Sequence, residues 1–147
     1  EENREYSYTD KKAGYWYGRT HTEAADWYSG WNMAKKRILA DYTLSVDGNI
    51  LDRREAECTV YPDRLVRKWD NAVETFRMVD NLPVLHIDLQ TDAAQTSISL
   101  DRTMVSLISK TICLFVKYTS TISSTPPVKI LLILLNVFPG TITLTSS

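Results

Sequence analysis

The sequence predicts a mainly β protein: an antiparallel β-sandwich preceded by a short helical or irregular segment rich in aromatic residues. Three observations predict it. Apolar and polar residues alternate with period two in several short runs between residues 41 and 100. Turn signals interrupt those runs about every eight to twelve residues, the spacing of antiparallel sandwiches and barrels. The 147-residue length and the 44% hydrophobic content suit one ordinary domain with a core of its own.

The clearest run is "YTLSV", in which Tyr42, Leu44 and Val46 alternate with Thr43 and Ser45, as a half-buried strand requires. "DGN" follows, a tight-turn signal because Gly48 adopts positive φ without a Cβ penalty. "ECTVY" and "RLVRKW" read as strands on either side of Pro62 and Asp63, whose fixed φ and local side-chain hydrogen bonding make a turn. "ETFRMV", the turn "DNLP", "VLHIDLQ" and "TSISL" complete the series. In "VLHIDLQ" Leu85, Ile87 and Leu89 share one face, and Val84, His86 and Asp88 the other.

Residues 1–40 form an aromatic-rich lead-in, 41–103 the sandwich region and 104–147 an apolar, Ser/Thr-rich tail. Within the lead-in, "TEAADWYSGWNMAKKRILA" places Ala24, Trp27, Tyr28, Trp31, Ala34 and Ile38 at spacings of three and four, which predicts a short helical turn or two, capped by Thr22 and open to a break at "SGW". Gly30 weakens its middle by about 1 kcal/mol. The tail has no acidic residue, and its block "ILLILLNVF" is about half the roughly 20 residues that cross a bilayer. A buried or aggregation-prone strand is the expectation there, rather than a membrane helix. The tail's composition also suits a reading frame that runs past its proper coding segment. The opening "EENREYSYTDKK", which starts on Glu1 and has no apolar stretch behind it, predicts a processed product or part of something larger.

The charge balance of 17 basic and 18 acidic residues lacks the basic field that phosphate backbones demand, so nucleic acid is not an expected partner. Two cysteines, Cys58 and Cys113, read as unrelated, partly buried thiols, too few for a cysteine-based zinc site. No metal or cofactor is expected, and neither a phosphate loop nor a nucleophile elbow is present.

The residues that point to a ligand are the aromatics of "AGYWYGRTHTEAADWYSGW": Tyr15, Trp16, Tyr17, Trp27, Tyr28 and Trp31. Trp and Tyr rings stack on the C–H faces of sugars while their polar tips reach hydroxyls. The same rings suit the plugged end of a sandwich or the seat of a neighbouring domain. Catalytic carboxylates are not expected: Asp80, Asp88, Asp92, Glu55 and Glu57 sit in no pattern that raises a pKa. His86 and Asp88 lie side by side on one strand face but lack a nucleophile. His21 lies in a polar loop, and the basic residues of "MAKKRILA" and "RLVRKW" read as solvated faces.

The strand and turn "DYTLSVDG", the hairpin "TVYPDRLVRKW" and the later strand around "NLPVLHIDLQTD" give residues 38–100 a likeness to a known family. This region resembles the amino-terminal β-sandwich domains that precede (α/α)6-barrel catalytic domains in glycoside hydrolases and phosphorylases. The maltose-phosphorylase, glucoamylase-like and glycogen-debranching kinds carry such domains. The resemblance implies a non-catalytic support domain of a carbohydrate-active enzyme, because that family's acid and base lie in the barrel. Its partners would then be carbohydrate and the catalytic domain. A free-standing carbohydrate-binding module, or an interaction domain that pairs through its apolar tail by strand addition, are the alternative expectations.

Overall fold

The computed structural model describes residues 2–24, 26–33, 36–82, 84–101, 115–121, 128–134 and 142–146. Cys113, Pro139 and Gly140, on which sequence expectations fall, lie outside them. In chain order the strands are β1 (Glu5–Thr9), β2 (Gly14–Arg19), β3 (Gly30–Met33), β4 (Lys36–Leu39), β5 (Asp41–Val46), β6 (Asn49–Ile50) and β7 (Glu57–Val60). Next come β8 (Leu65–Lys68), β9 (Val73–Met78), β10 (Val84–Gln90), β11 (Thr96–Asp101), β12 (Phe115–Thr121), β13 (Val128–Leu134) and β14 (Ile142–Ser146). A single 3-10 turn, Arg53–Glu55, is the one helical element among the described residues.

The strands form three antiparallel sheets, ordered β1-β2-β3-β4, β14-β11-β5-β6 and β12-β13-β10-β9-β8-β7. The mainly β expectation therefore holds, and each strand read between residues 41 and 101 is present. The turn at Asp47 and Gly48 has φ of 47° and 79°, the two positive values of a two-residue hairpin that matches strand twist. It sets Val46 opposite Asn49. In the tail, "VKILLIL" is β13, paired in register with β10 from Val84↔Leu134 to Gln90↔Val128.

The lead-in departs from the sequence reading. Where three-and-four spacing predicts a helix, the chain makes a tight turn at 26–29, closed by Ser29 N–H to the Asp26 carbonyl at 3.0 Å, and then enters β3 and β4. Thr22 caps no helix; its hydroxyl accepts from Asn3 Nδ2 at 2.8 Å. Two forces override the periodicity. Gly30 sits at φ +85°, outside helical space, and a Cβ there would overlap the carbonyl oxygens of Leu39 and Ala40. In addition, Trp31 pairs across the sheet with Trp16, which buries both indoles, at 0% and 2% exposure. Gly30→Ala should cost about 1–3 kcal/mol from backbone strain alone, with a further loss from the overlap, read as a lowered urea midpoint at unchanged slope.

All three sheets contribute to one apolar cluster. Tyr6, Tyr8, Trp16 and Trp31 come from the first, Tyr42, Leu44, Ile98 and Leu100 from the second, and Leu65, Phe76, Leu85 and Ile87 from the third. Phe76 is its hub, 5.1 Å from the Trp16 ring and stacked at 10° on Tyr42. The first forty residues are thus built into the same core as the strands that follow them.

Candidate functional site

Period-two alternation along β2 points Trp16 inward and Tyr15 and Tyr17 outward. The six aromatic candidates are thereby divided. Trp16 and Trp31 are core residues and cannot meet a ligand. Trp27, at the 26–29 turn, is 78% exposed. Its ring stands at 87° to Tyr28 with centroids 5.3 Å apart, and Tyr28 packs on Tyr17 at 4.9 Å. Tyr15 shares the outer face of β2 with Tyr17 but makes no ring contact with this row. Tyr17, Tyr28 and Trp27 therefore form a continuous aromatic row on the outside of the first sheet.

Polar groups border the row. Arg37 donates to Ser29 Oγ at 2.8 Å and to the Trp27 carbonyl at 3.5 Å, which ties β4 to the turn that carries the indole. Arg19 and Glu5 pair at 3.5 Å beside Tyr17. Desolvation, and then a hydrogen bond with Glu5, push the Tyr17 phenol up to about 12, so it keeps its proton at neutral pH. The row offers solvent the exposed Trp27 indole and the half-buried rings of Tyr28 and Tyr17, with hydrogen-bonding side chains along its edge.

Beneath the first sheet lies a polar network that the sequence reading missed. Arg67 and Glu74 stand directly opposite each other on β8 and β9 and pair at 3.3 Å, with side-chain exposures of 0% and 2%. Arg67 also donates to the carbonyls of Thr20 at 3.0 Å and Arg19 at 3.2 Å, and to the Tyr6 hydroxyl at 3.3 Å. Tyr6 in turn accepts from Trp16 Nε1 at 3.2 Å. The second carboxylate oxygen of Glu74 accepts from the Tyr42 hydroxyl. "RLVRKW" is therefore not a solvated face throughout: Lys68 is exposed, but Arg67 is buried.

Burial, reinforced by the adjacent Glu74 charge, raises the Tyr42 phenol well above its ordinary value. The folded chain holds that proton to higher pH than the unfolded chain, whose phenols ionise near pH 10. Its stabilisation is full below about pH 10 and falls as the pH rises beyond it. Tyr42→Phe should cost about 1–3 kcal/mol at neutral pH by stranding a buried carboxylate oxygen, and should flatten the alkaline decline. Urea unfolding at pH 7 and between pH 10 and 11 reads both effects.

His21 is buried rather than loop-exposed: its Nδ1 lies 2.8 Å from Thr20 Oγ1 and its Nε2 3.2 Å from the Ala56 carbonyl. The His86–Asp88 adjacency is present, with Nε2 at 3.2 Å from Oδ1. Arg77 donates to Nδ1 at 2.7 Å, which fixes the Nε2–H tautomer, and burial lowers the His86 pKa. Asp88 is half-buried rather than facing solvent. Glu55, Glu57, Asp80 and Asp92 are exposed, as the sequence suggests. Among the described residues no group of three His, Cys, Asp or Glu side chains lies close enough to hold a metal ion. No helix among them is long and apolar enough to cross a membrane.

No protein-family model, curated protein or solved structure matches the chain. Its functional reading rests on the side-chain geometry and on the strand-and-turn pattern.

Proposed function

We propose that this chain is a non-catalytic β-domain of a carbohydrate-active enzyme and that it contacts saccharide through the outer row Trp27–Tyr28–Tyr17. The observation that carries the reading is Trp27 itself. An indole that is 78% exposed, and set at 87° to a second aromatic ring, offers most of its surface to solvent. Isolated apolar side chains on a surface are ordinary, but three contacting aromatic rings with polar edges match what a sugar offers: a C–H face and a rim of hydroxyls. The likeness of residues 38–100 to the β-domains of glycoside hydrolases and phosphorylases supports the same class, with a helical barrel as the catalytic partner.

The test is a fluorescence titration of the chain against a broad panel of neutral and charged oligosaccharides. Trp27 is the most exposed indole, at 78%, so binding at the outer row should shift and quench its emission, and Trp27→Ala should remove that part of the response without changing the unfolding midpoint. A flat response across the panel would sink the reading.

A further inference from the structure

The connection from β6 to β7, residues 51–56, crosses from the second sheet to the third, and a cleft of about 800 Å3 opens beside it. A second hollow of about 580 Å3 adjoins the first; Ile50, Leu51, Asp52 and Trp69 wall both. Clefts of a few hundred to about 1,000 Å3 are the usual size of small-molecule sites. These walls are fixed before any ligand arrives. Arg53 clamps Asp41 through two bonds of 2.8 Å and donates to the Tyr42 carbonyl at 2.6 Å. On the far side Trp69 Nε1 donates to the Asp52 carbonyl at 2.7 Å.

The lining has two chemical halves. Leu44, Ile50, Leu51 and the Trp69 ring supply apolar surface, and Ile50 is 68% exposed. Thr22 and Thr43 supply hydroxyls and the Glu23 carboxylate an acceptor, while the Asp52 carboxylate is held by Arg54. A sugar ring carries both complements, a C–H face for the indole and hydroxyl donors for the carboxylate. Charge adds a selection. Around the larger hollow Asp41 and Asp52 are paired with Arg53 and Arg54, and Glu74 with Arg67, which leaves Glu23 in excess; the smaller adds Glu55, Glu57 and Asp70 against Lys68. A low-dielectric cleft focuses such a field and repels anions.

We propose that this double hollow is a saccharide subsite distinct from the outer aromatic row, one that packs a sugar ring carrying no negative charge against Trp69. The proposal rests on the carbohydrate reading above, and the experiment separates the two. In a 15N-labelled sample the indole N–H signals of Trp27 and Trp69 are assigned with Trp27→Phe and Trp69→Phe. The wild-type chain is then titrated with glucose, glucosamine and glucuronate. The Trp69 signal should move saturably with glucose and glucosamine, and glucuronate should bind about tenfold more weakly or not at all. Ile50→Ala, a change at an exposed position that spares the core, should weaken the Trp69 response about threefold or more. Movement of Trp27 with a still Trp69 overturns the subsite and leaves the outer row standing. Movement of Trp69 with a still Trp27 does the reverse. Equal response to glucuronate overturns the proposal, as does silence of Trp69 towards all three sugars.

Discussion

Replacing Arg67 with alanine should cost about 3–5 kcal/mol of folding stability, the range for breaking a buried ion pair from one side. The reason is what remains behind. Glu74, at 2% side-chain exposure, keeps its carboxylate without the guanidinium that faces it across the β8–β9 ladder. The Tyr6 hydroxyl and the carbonyls of Thr20 and Arg19 each lose a donor at the same time. For a chain of this length each kcal/mol lowers the melting temperature by roughly 2–4 °C, so the variant should melt roughly 6–20 °C below the wild type. The double variant Arg67→Met, Glu74→Leu removes both charges and should recover part of the loss, because no ionised group is then left unpaired. Calorimetric melting of the three proteins checks the order. An Arg67→Ala variant as stable as the wild type would show that the pair is solvated.

Trp31→Ala should be comparably severe, at about 3–5 kcal/mol, through a different mechanism. Trp31 is 0% exposed and lies in register with Trp16 on β2 and Leu39 on β4. Deleting the indole leaves a cavity on the first sheet's inner face, where the whole side chain is buried. The same change at Trp27, which is 78% exposed, should leave the melting temperature within about 2 °C of the wild type. Thermal melts of the two variants side by side show whether Trp31 and Trp27 divide into core and surface as described.

Strands β5 and β8 to β11 are legible because each buries one face more than the other, which writes period two into the sequence. β2 hides that signal: Tyr15 and Tyr17 on its outer face are as apolar in letter as Trp16 on its inner face, so no alternation shows. In β1, Tyr6 and Tyr8 do alternate with Glu5, Ser7 and Thr9. That pattern was obscured because tyrosine and the charged residues around it read together as a polar run. β3 and β4 mimicked a helix because a turn that carries Trp27 and Tyr28 leads into a strand that carries Trp31, and the spacing of those three residues reflects that junction.

The buried pair left a trace as well. Arg67 shares the parity of Leu65 in β8, and Glu74 that of Phe76 and Met78 in β9, which places two opposite charges on inward faces. Composition alone argued that such residues are solvated. Only the register, with Arg67 opposite Glu74, shows that each neutralises the other. The outer aromatic row required three dimensions in a stricter sense. Tyr17 and Tyr28 meet only because the chain turns between them, a contact that no one-dimensional pattern shows.

Isothermal titration calorimetry of wild type and Trp27→Ala against one oligosaccharide drawn from the panel tests the central claim most directly. The account predicts saturable heat for the wild type and the loss of its outer-row component in Trp27→Ala, which leaves at most the binding at the Trp69 hollow, although the variant remains fully folded. Equal affinity in the two proteins would contradict it, since the outer row would then be a surface that sugar does not use.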